Sequence, residues 1–114
     1  MSPWGASPEN DLVLNNIKSC IARREILWTY HVTMRMHGRS ISRNLIMQAA
    51  QSYELLECYP DDKYMPSCLL RGEYGGLVFH VVCAYDAEHE TVRIITAYKP
   101  SLDKWDAEGR KRLS

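Results

Sequence analysis

The spacing of apolar residues along this chain changes period about halfway. In the first half, Val13, Ile17, Cys20 and Ile21 recur three and four apart, so they fall on one face of a helix. Ser7-Pro8-Glu9 precedes them with a capping residue, a proline suited to the first turn and an acid near the positive end of the helix dipole. The spacing predicts a first helix over 8–24, with Arg23 and Arg24 at its C-terminal end. Thr29 is the expected cap of a short second helix that turns Val32 and Met36 inward, and Gly38 its expected stop through a left-handed cap. Ser42 is placed to cap a third helix, striped by Leu45, Ile46, Ala49 and Ala50.

After Ser52 the period shortens to that of strands. Glu54 to Tyr59 alternates weakly, Pro60-Asp61-Asp62 predicts a turn, and Ser67 to Tyr74 reads as a second strand. Gly75-Gly76 is a hairpin signal before the apolar run Leu77 to Ala84. A polar loop over 86–90 leads to a last strand, Thr91 to Lys99, which Pro100 ends. Residues 102–113 predict a short amphipathic helix anchored by Trp105. Short connections favour antiparallel neighbours, and helices grouped ahead of strands favour an α+β fold over a parallel α/β one. The expected architecture is N-terminal helices packed on a C-terminal antiparallel sheet of about four strands. At 114 residues the chain is long enough for one domain and too short for two.

Charge modifies this picture only in its distribution. The chain has 14 basic and 14 acidic side chains among 114 residues, a formal net charge of zero, unlike a strongly basic nucleic-acid binder. Yet Arg23, Arg24, Arg35, Arg39 and Arg43 cluster against Glu25 alone, carboxylates dominate from Glu54 to Glu90, and Arg110, Lys111 and Arg112 crowd the tail. A neutral total can hold a basic and an acidic face, or simply solvated helix surfaces. No apolar run approaches the ~20 residues that span a bilayer, and the first ten residues lack a signal-peptide pattern. The cytoplasm is the expected compartment, with no membrane partner. Cys20, Cys58, Cys68 and Cys83 form no CxxC pair, so buried free thiols are expected rather than disulfides or zinc.

No GxGxxG, P-loop, HExxH or GxSxG occurs, which disfavours nucleotide-driven and common zinc chemistry. The notable cluster is His31, Arg35, His37 and Arg39 on or just past the second helix. Imidazole moves protons near neutral pH, and guanidinium forks phosphate and stabilises charge on its oxygens. The same spacing also fits a locally packed His31 and two solvated arginines. His80 lies in the run Leu77 to Val82, on the face of Val78 and Val82 and opposite Leu77, Phe79 and Val81. It is either a satisfied core histidine or a second proton-transfer group. Thr96 and Tyr98 lie two apart and are expected on the same face as Val92 and Ile94, near His80 if the last two strands pair. Tyr98 can donate to a phosphate or stack on a base, or be a half-buried strand tyrosine. Asp61, Asp62 and Lys63 read as a solvated loop too poor in ligands for a hard cation.

From Thr29 onward the chain resembles a known family. The pattern is Thr29-Tyr30-His31 with Arg35 and Arg39, Ile41-Ser42, Glu57 with Tyr59-Pro60, Pro66-Ser67 and Leu69-Leu70, then His80-Val81-Val82, residues 95–100 and Trp105. It is similar to the domain-of-unknown-function family numbered 4258, whose layout resembles RelE-like ribonuclease toxins such as MqsR; the resemblance leaves residues 1–25 outside it as an added N-terminal helix and implies a single α+β toxin-like domain over 26–114. The resemblance implies a metal-independent endoribonuclease that cleaves mRNA, free or on the ribosome. It further implies a cognate antitoxin of zinc-finger type, with no cofactor and with a homodimer left open. The implied catalytic residues are His31, Arg35, Arg39, His80 and Tyr98. The alternative is a non-catalytic protein-binding module of the same fold, or an inactive homologue.

Overall fold

The computed structural model describes residues 8–61 and 66–113, with side chains from residue 11 onward. The expected Ser7 cap and the side chains of Asp62 and Lys63 lie outside the described residues; Asp61 is exposed. Helix α1 (Pro8–Ala22) buries Ile17, Cys20 and Ile21, the stripe that the spacing foretells. It stops two residues early. Arg24 adopts φ 64°, the Glu25 N–H donates to Cys20 O and the Arg24 N–H donates to Ile21 O. That is a Schellman cap, built here without glycine.

This cap turns the chain into a strand with no counterpart in the sequence reading, β1 (Ile26–Trp28). Helix α2 (Tyr30–Gly38) follows, capped by the Val32 N–H donating to Thr29 Oγ1 at 3.2 Å. Gly38 remains inside α2, and the left-handed residue is Ser40, φ 59°. Helix α3 (Arg43–Gln48) is capped by Ser42, whose Oγ accepts from the Leu45 N–H at 3.0 Å, and a 3-10 turn (Ala50–Ser52) leads on into the sheet.

Strands β2 (Glu54–Tyr59), β3 (Ser67–Tyr74), β4 (Leu77–Asp86) and β5 (Thr91–Tyr98) form the expected antiparallel meander. Gly75 and Gly76, at φ 60° and 82°, make the predicted hairpin turn. The sheet has five strands, not four, in the order β1-β5-β4-β3-β2, and it is mixed because β1 runs parallel to β5. Three residues are too few to show a period, which is why β1 was not legible.

One sheet face packs against the helices. Val32, Met36, Ile46, Leu70, Phe79, Val81, Val92 and Ile94 meet there, each 0–2% exposed. Full burial of each such aliphatic side chain contributes about 1.5–3 kcal/mol. The opposite face is covered by residues 99–113. The expected helix over 102–113 does not form: the segment folds as turns joined by an isolated antiparallel bridge between Trp105 and Arg112. Gly109 at φ 72° and Asp106, whose Oδ1 accepts from the Arg110 N–H at 2.9 Å, bend the chain back on itself. Trp105 is the anchor expected, 5% exposed.

Two bulges decide which side chains look toward that segment. Between β4 and β5 the register runs Val82 to Thr96 and then Cys83 to Ile94, so Ile95 is an extra residue. The side-chain alternation of β5 therefore inverts at Ile95. Val92, Ile94 and Ala97 face the helices, while Thr96 and Tyr98 face the other way, which corrects the shared face expected for these residues. A second bulge between Leu55 and Glu57 places Glu54 and Glu57 together on the face of Arg71. Among the described residues no helix is long and apolar enough to cross a membrane.

Candidate functional site

His31, Arg35 and Arg39 follow one another four apart, each step advancing about 6 Å along the helix, and all three side chains are exposed. They share a stripe because Val32 and Met36 occupy the inward face of α2. Among the described residues His31 meets the ring of Tyr30, edge-on with centroids 6.3 Å apart. Arg35 has no protein acceptor among the described residues. Arg39 reaches β5: its Nη1 donates to Thr96 Oγ1 at 3.2 Å and to Ala97 O at 3.1 Å. Those two bonds fix the guanidinium while leaving its Nε and Nη2 edge without an acceptor among the described residues. Beside it, at the C-terminal end of α2, opens a hollow of about 320 Å³ lined by Met36, His37, Ser40, Ile41 and Ser42. Arg43, on α3, lies over the Trp28 ring at 5.1 Å and donates to Thr33 Oγ1 at 2.9 Å, adding a third guanidinium to this edge.

His80 and Tyr98 belong to a different surface, the sheet face beneath the C-terminal segment. Register pairs Glu54 with Arg71, Arg71 with His80 and His80 with Tyr98, so a row of polar side chains crosses four strands. Trp105 and Gly109 seal it. His80 is 0% exposed, its Nε2 lies 2.7 Å from Gly109 O, and its Nδ1 has no partner among the described residues. The ring therefore carries its proton on Nε2 and donates to Gly109 O. Burial holds its pKa below the usual histidine value against the favourable Gly109 bond, and Arg112 and Arg71 lower it further. His80 is thus a covered histidine with one ring nitrogen bonded to Gly109 O. Tyr98 is half-buried, and its ring meets that of His80 at 5.5 Å.

Carboxylates surround this row. Arg112 donates to both oxygens of Glu57, at 2.5 and 2.9 Å, and the Tyr59 hydroxyl donates to Glu57 Oε1 at 2.7 Å. Arg112 first, and then Tyr59, hold the Glu57 carboxyl below the usual range despite partial burial. Burial and the neighbouring Glu57 push Tyr59 up to about 12. Arg71, 4% exposed, donates to Glu54, Glu73 and Glu108 O. Arg110 donates to both oxygens of Glu54 and holds that carboxyl low in turn.

The two clusters touch at one place. Arg39 bonds Thr96 and Ala97, the two residues before Tyr98; burial raises the Tyr98 pKa, and Arg112 and then Arg39 oppose that rise. His31 and Arg35 make no hydrogen bond, ion pair or ring contact with His80 or Tyr98 among the described residues. Sequence reasoning did not single out Arg71, Glu57 and Arg112 as partners of His80. Their signal is the period-two polarity of β2 and β3, in which Glu54, Glu57, Tyr59 and Arg71 share one face once the bulge is counted. Among the described residues, the group that could hold a metal ion is Asp86, Glu88 and His89, in the exposed turn between β4 and β5. Both Asp86 oxygens are already engaged there, by the Glu88 and His89 N–H groups and by His89 Nδ1.

The family described as domain of unknown function (DUF4258) matches residues 28–99. That span runs from β1 to the end of β5 and holds His31, Arg35, Arg39, His80 and Tyr98. None of the curated proteins and none of the solved structures matches the chain.

Proposed function

The chain belongs to the DUF4258 family, and on that premise we propose that it is a metal-independent endoribonuclease, the mRNA-cleaving toxin of a toxin–antitoxin pair with a RelE-like fold. The observation that carries this reading is the reach of Arg39 from α2 to Thr96 and Ala97 on β5. It joins the cationic stripe of the helical half to the polar end of the last strand, beside Tyr98.

RNA supplies its own nucleophile. The 2′-hydroxyl attacks the adjacent phosphorus, a cyclic phosphate forms and the 5′-oxygen departs with a proton, so no metal is required. Of the two imidazoles considered for proton transfer, His31 is the one open to solvent and takes the 2′-hydroxyl proton. Arg35 and the free edge of Arg39 hold the phosphate and the charge that builds on it. Tyr98 positions the nucleotide, and His80 acts behind it by fixing its ring. The cognate inhibitor, a zinc-finger antitoxin, covers the same edge.

The test is single-turnover cleavage of RNA in EDTA by the purified chain, with and without ribosomes. Cleavage that survives both His31→Ala and Arg35→Ala removes this mechanism. A second reading is a non-catalytic module that docks a protein. Tyr30 and Met34 favour it: they lie four apart on α2 and are 75% and 56% exposed, an apolar pair suited to a partner's surface. Induced expression without growth arrest, together with no cleavage in either assay, selects that reading.

A further inference from the structure

Two thiols outside the site described above stand side by side. Cys58 on β2 and Cys68 on β3 are directly opposite in the antiparallel register, with Sγ atoms 3.7 Å apart. Residues paired in this way have Cα atoms about 4.5–5.5 Å apart, inside the 4.4–6.8 Å range that a disulfide spans. Reaching a bonded separation of about 2.05 Å requires each sulfur to travel less than about 1 Å, a small rotation about each Cα–Cβ bond. Both side chains are half-buried, because β2 is an edge strand of the sheet. The remaining thiols differ. Cys83 lies opposite Cys68 on its other side but is 0% exposed, and Cys20, 1% exposed, donates to Glu90 O.

We propose that Cys58 and Cys68 form a redox-reactive modification site, a dithiol that a peroxide closes to a single intramolecular disulfide. Cys58, as its thiolate, attacks one peroxide oxygen. The O–O bond breaks, the other oxygen leaves and takes up a proton as water, and Cys58 becomes a sulfenic acid. The Cys68 sulfur then attacks the Cys58 sulfur, the S–O bond breaks, and the hydroxide released takes the Cys68 proton as a second water. Two thiols and one peroxide thus give one disulfide and two waters. The order follows from the surroundings. Cys58 stands on the edge strand β2, where a peroxide meets it first, and Cys68 on the inner strand β3, where burial and the neighbouring Cys58 push its thiol up to about 12, so Cys68 serves as the resolving sulfur. The bond ties edge strand β2 to β3 at the end of the strand nearest the connecting loop, at the sheet edge opposite β1.

The test uses the full reduced chain, treated with a small excess of hydrogen peroxide, then unfolded and alkylated with iodoacetamide. The four cysteines take four adducts before treatment. Afterwards two adducts are expected, with an intact mass lower by about 2 Da before alkylation, a peptide map joining Cys58 to Cys68, and reversal by dithiothreitol. The Cys20→Ser/Cys83→Ser variant, with two cysteines left, is expected to go from two adducts to none with the same 2 Da loss, and Cys58→Ser to keep all of its remaining thiols alkylatable. Four adducts after treatment, a link through Cys83 or Cys20, covalent dimers, or Cys58 carried to the sulfinic acid without a cross-link would each overturn the proposal. None of these outcomes depends on whether the chain cleaves RNA.

Discussion

The His80 imidazole stands edge-on to the Trp105 indole, with centroids 4.5 Å apart and planes at 90°. The contact joins the middle of the sheet to a C-terminal segment that has almost no regular structure of its own. Trp105 is held in turn by Arg112, whose guanidinium lies 4.6 Å from the ring centroid, and Arg112 is held by Glu57. The segment is fixed by side chains against the sheet rather than by a backbone ladder.

Truncation of the indole should therefore uncover the imidazole. Trp105→Ala is expected to cost about 3–5 kcal/mol, the usual range for a buried tryptophan. It should also raise the His80 pKa toward 6.5, because burial is the largest cause of its depression and outweighs the Gly109 bond lost with the segment. Titration of the His80 ring protons by NMR in the variant and the parent checks this. An unchanged or lower pKa would show that the indole is not what excludes water.

Stability should depend on pH through the same group. The pKa of His80 is lower in the folded state than in the unfolded chain, so below about pH 6.5 the unfolded chain binds more protons. The contribution is complete above that value and declines as the pH falls toward the folded pKa. The charged groups facing the ring are Arg71, Arg112 and Glu57. Glu54 and Glu57, whose carboxyls are also held low, add their own losses below their ordinary 4.5. Thermal midpoints measured between about pH 7.5 and 5 should fall in the parent and fall less in His80→Gln. Parallel curves would exclude His80 as the source.

The bidentate pair of Arg112 and Glu57 should be weaker than its geometry suggests. The Arg112 side chain is 54% exposed, and solvent screens the attraction. A double-mutant cycle with Arg112→Ala and Glu57→Gln is expected to give a coupling of about 0.5–1 kcal/mol. A coupling above about 2 kcal/mol would mean that the pair is effectively desolvated.

Gly72 is required by packing. A Cβ there would stand 2.6 Å from Tyr53 Cε1 and 2.9 Å from Phe79 Cζ. Those two buried rings meet edge-on at 6.1 Å, and the Tyr53 hydroxyl donates to Ile46 O at 2.8 Å. Neither ring can retreat without breaking a core contact, so Gly72→Ala is expected to cost about 1–3 kcal/mol. Gly38→Ala, where a Cβ meets nothing within 4 Å, serves as the control and should not destabilise. Urea denaturation of both variants decides the matter.

The role proposed for Arg39 separates charge from shape. Arg39→Lys keeps the charge, but an ammonium cannot bond Thr96 and Ala97 with one edge and present a second edge to a phosphate. Cleavage should fall at least tenfold, with the thermal midpoint nearly unchanged. Full activity in the lysine variant would reduce Arg39 to a point charge.

Local chemistry determined much of this molecule from the sequence alone. Thr29 and Ser42 cap their helices, Gly75-Gly76 turns the hairpin, and the stripes of α1 and α3 are buried, because each depends on residues within a few positions of one another. The stripe of His31, Arg35 and Arg39 was legible for the same reason. Tertiary structure decided the rest. Strand β1 exists because β5 offers it an edge, and the bulge at Ile95 inverts which residues of β5 face the helices. The covering of His80 arises from partners 25 and more positions away that meet it only when the C-terminal segment folds over the sheet. Pairing, bulges and burial are set by distant segments competing for the same surface, and no local pattern records the outcome of that competition.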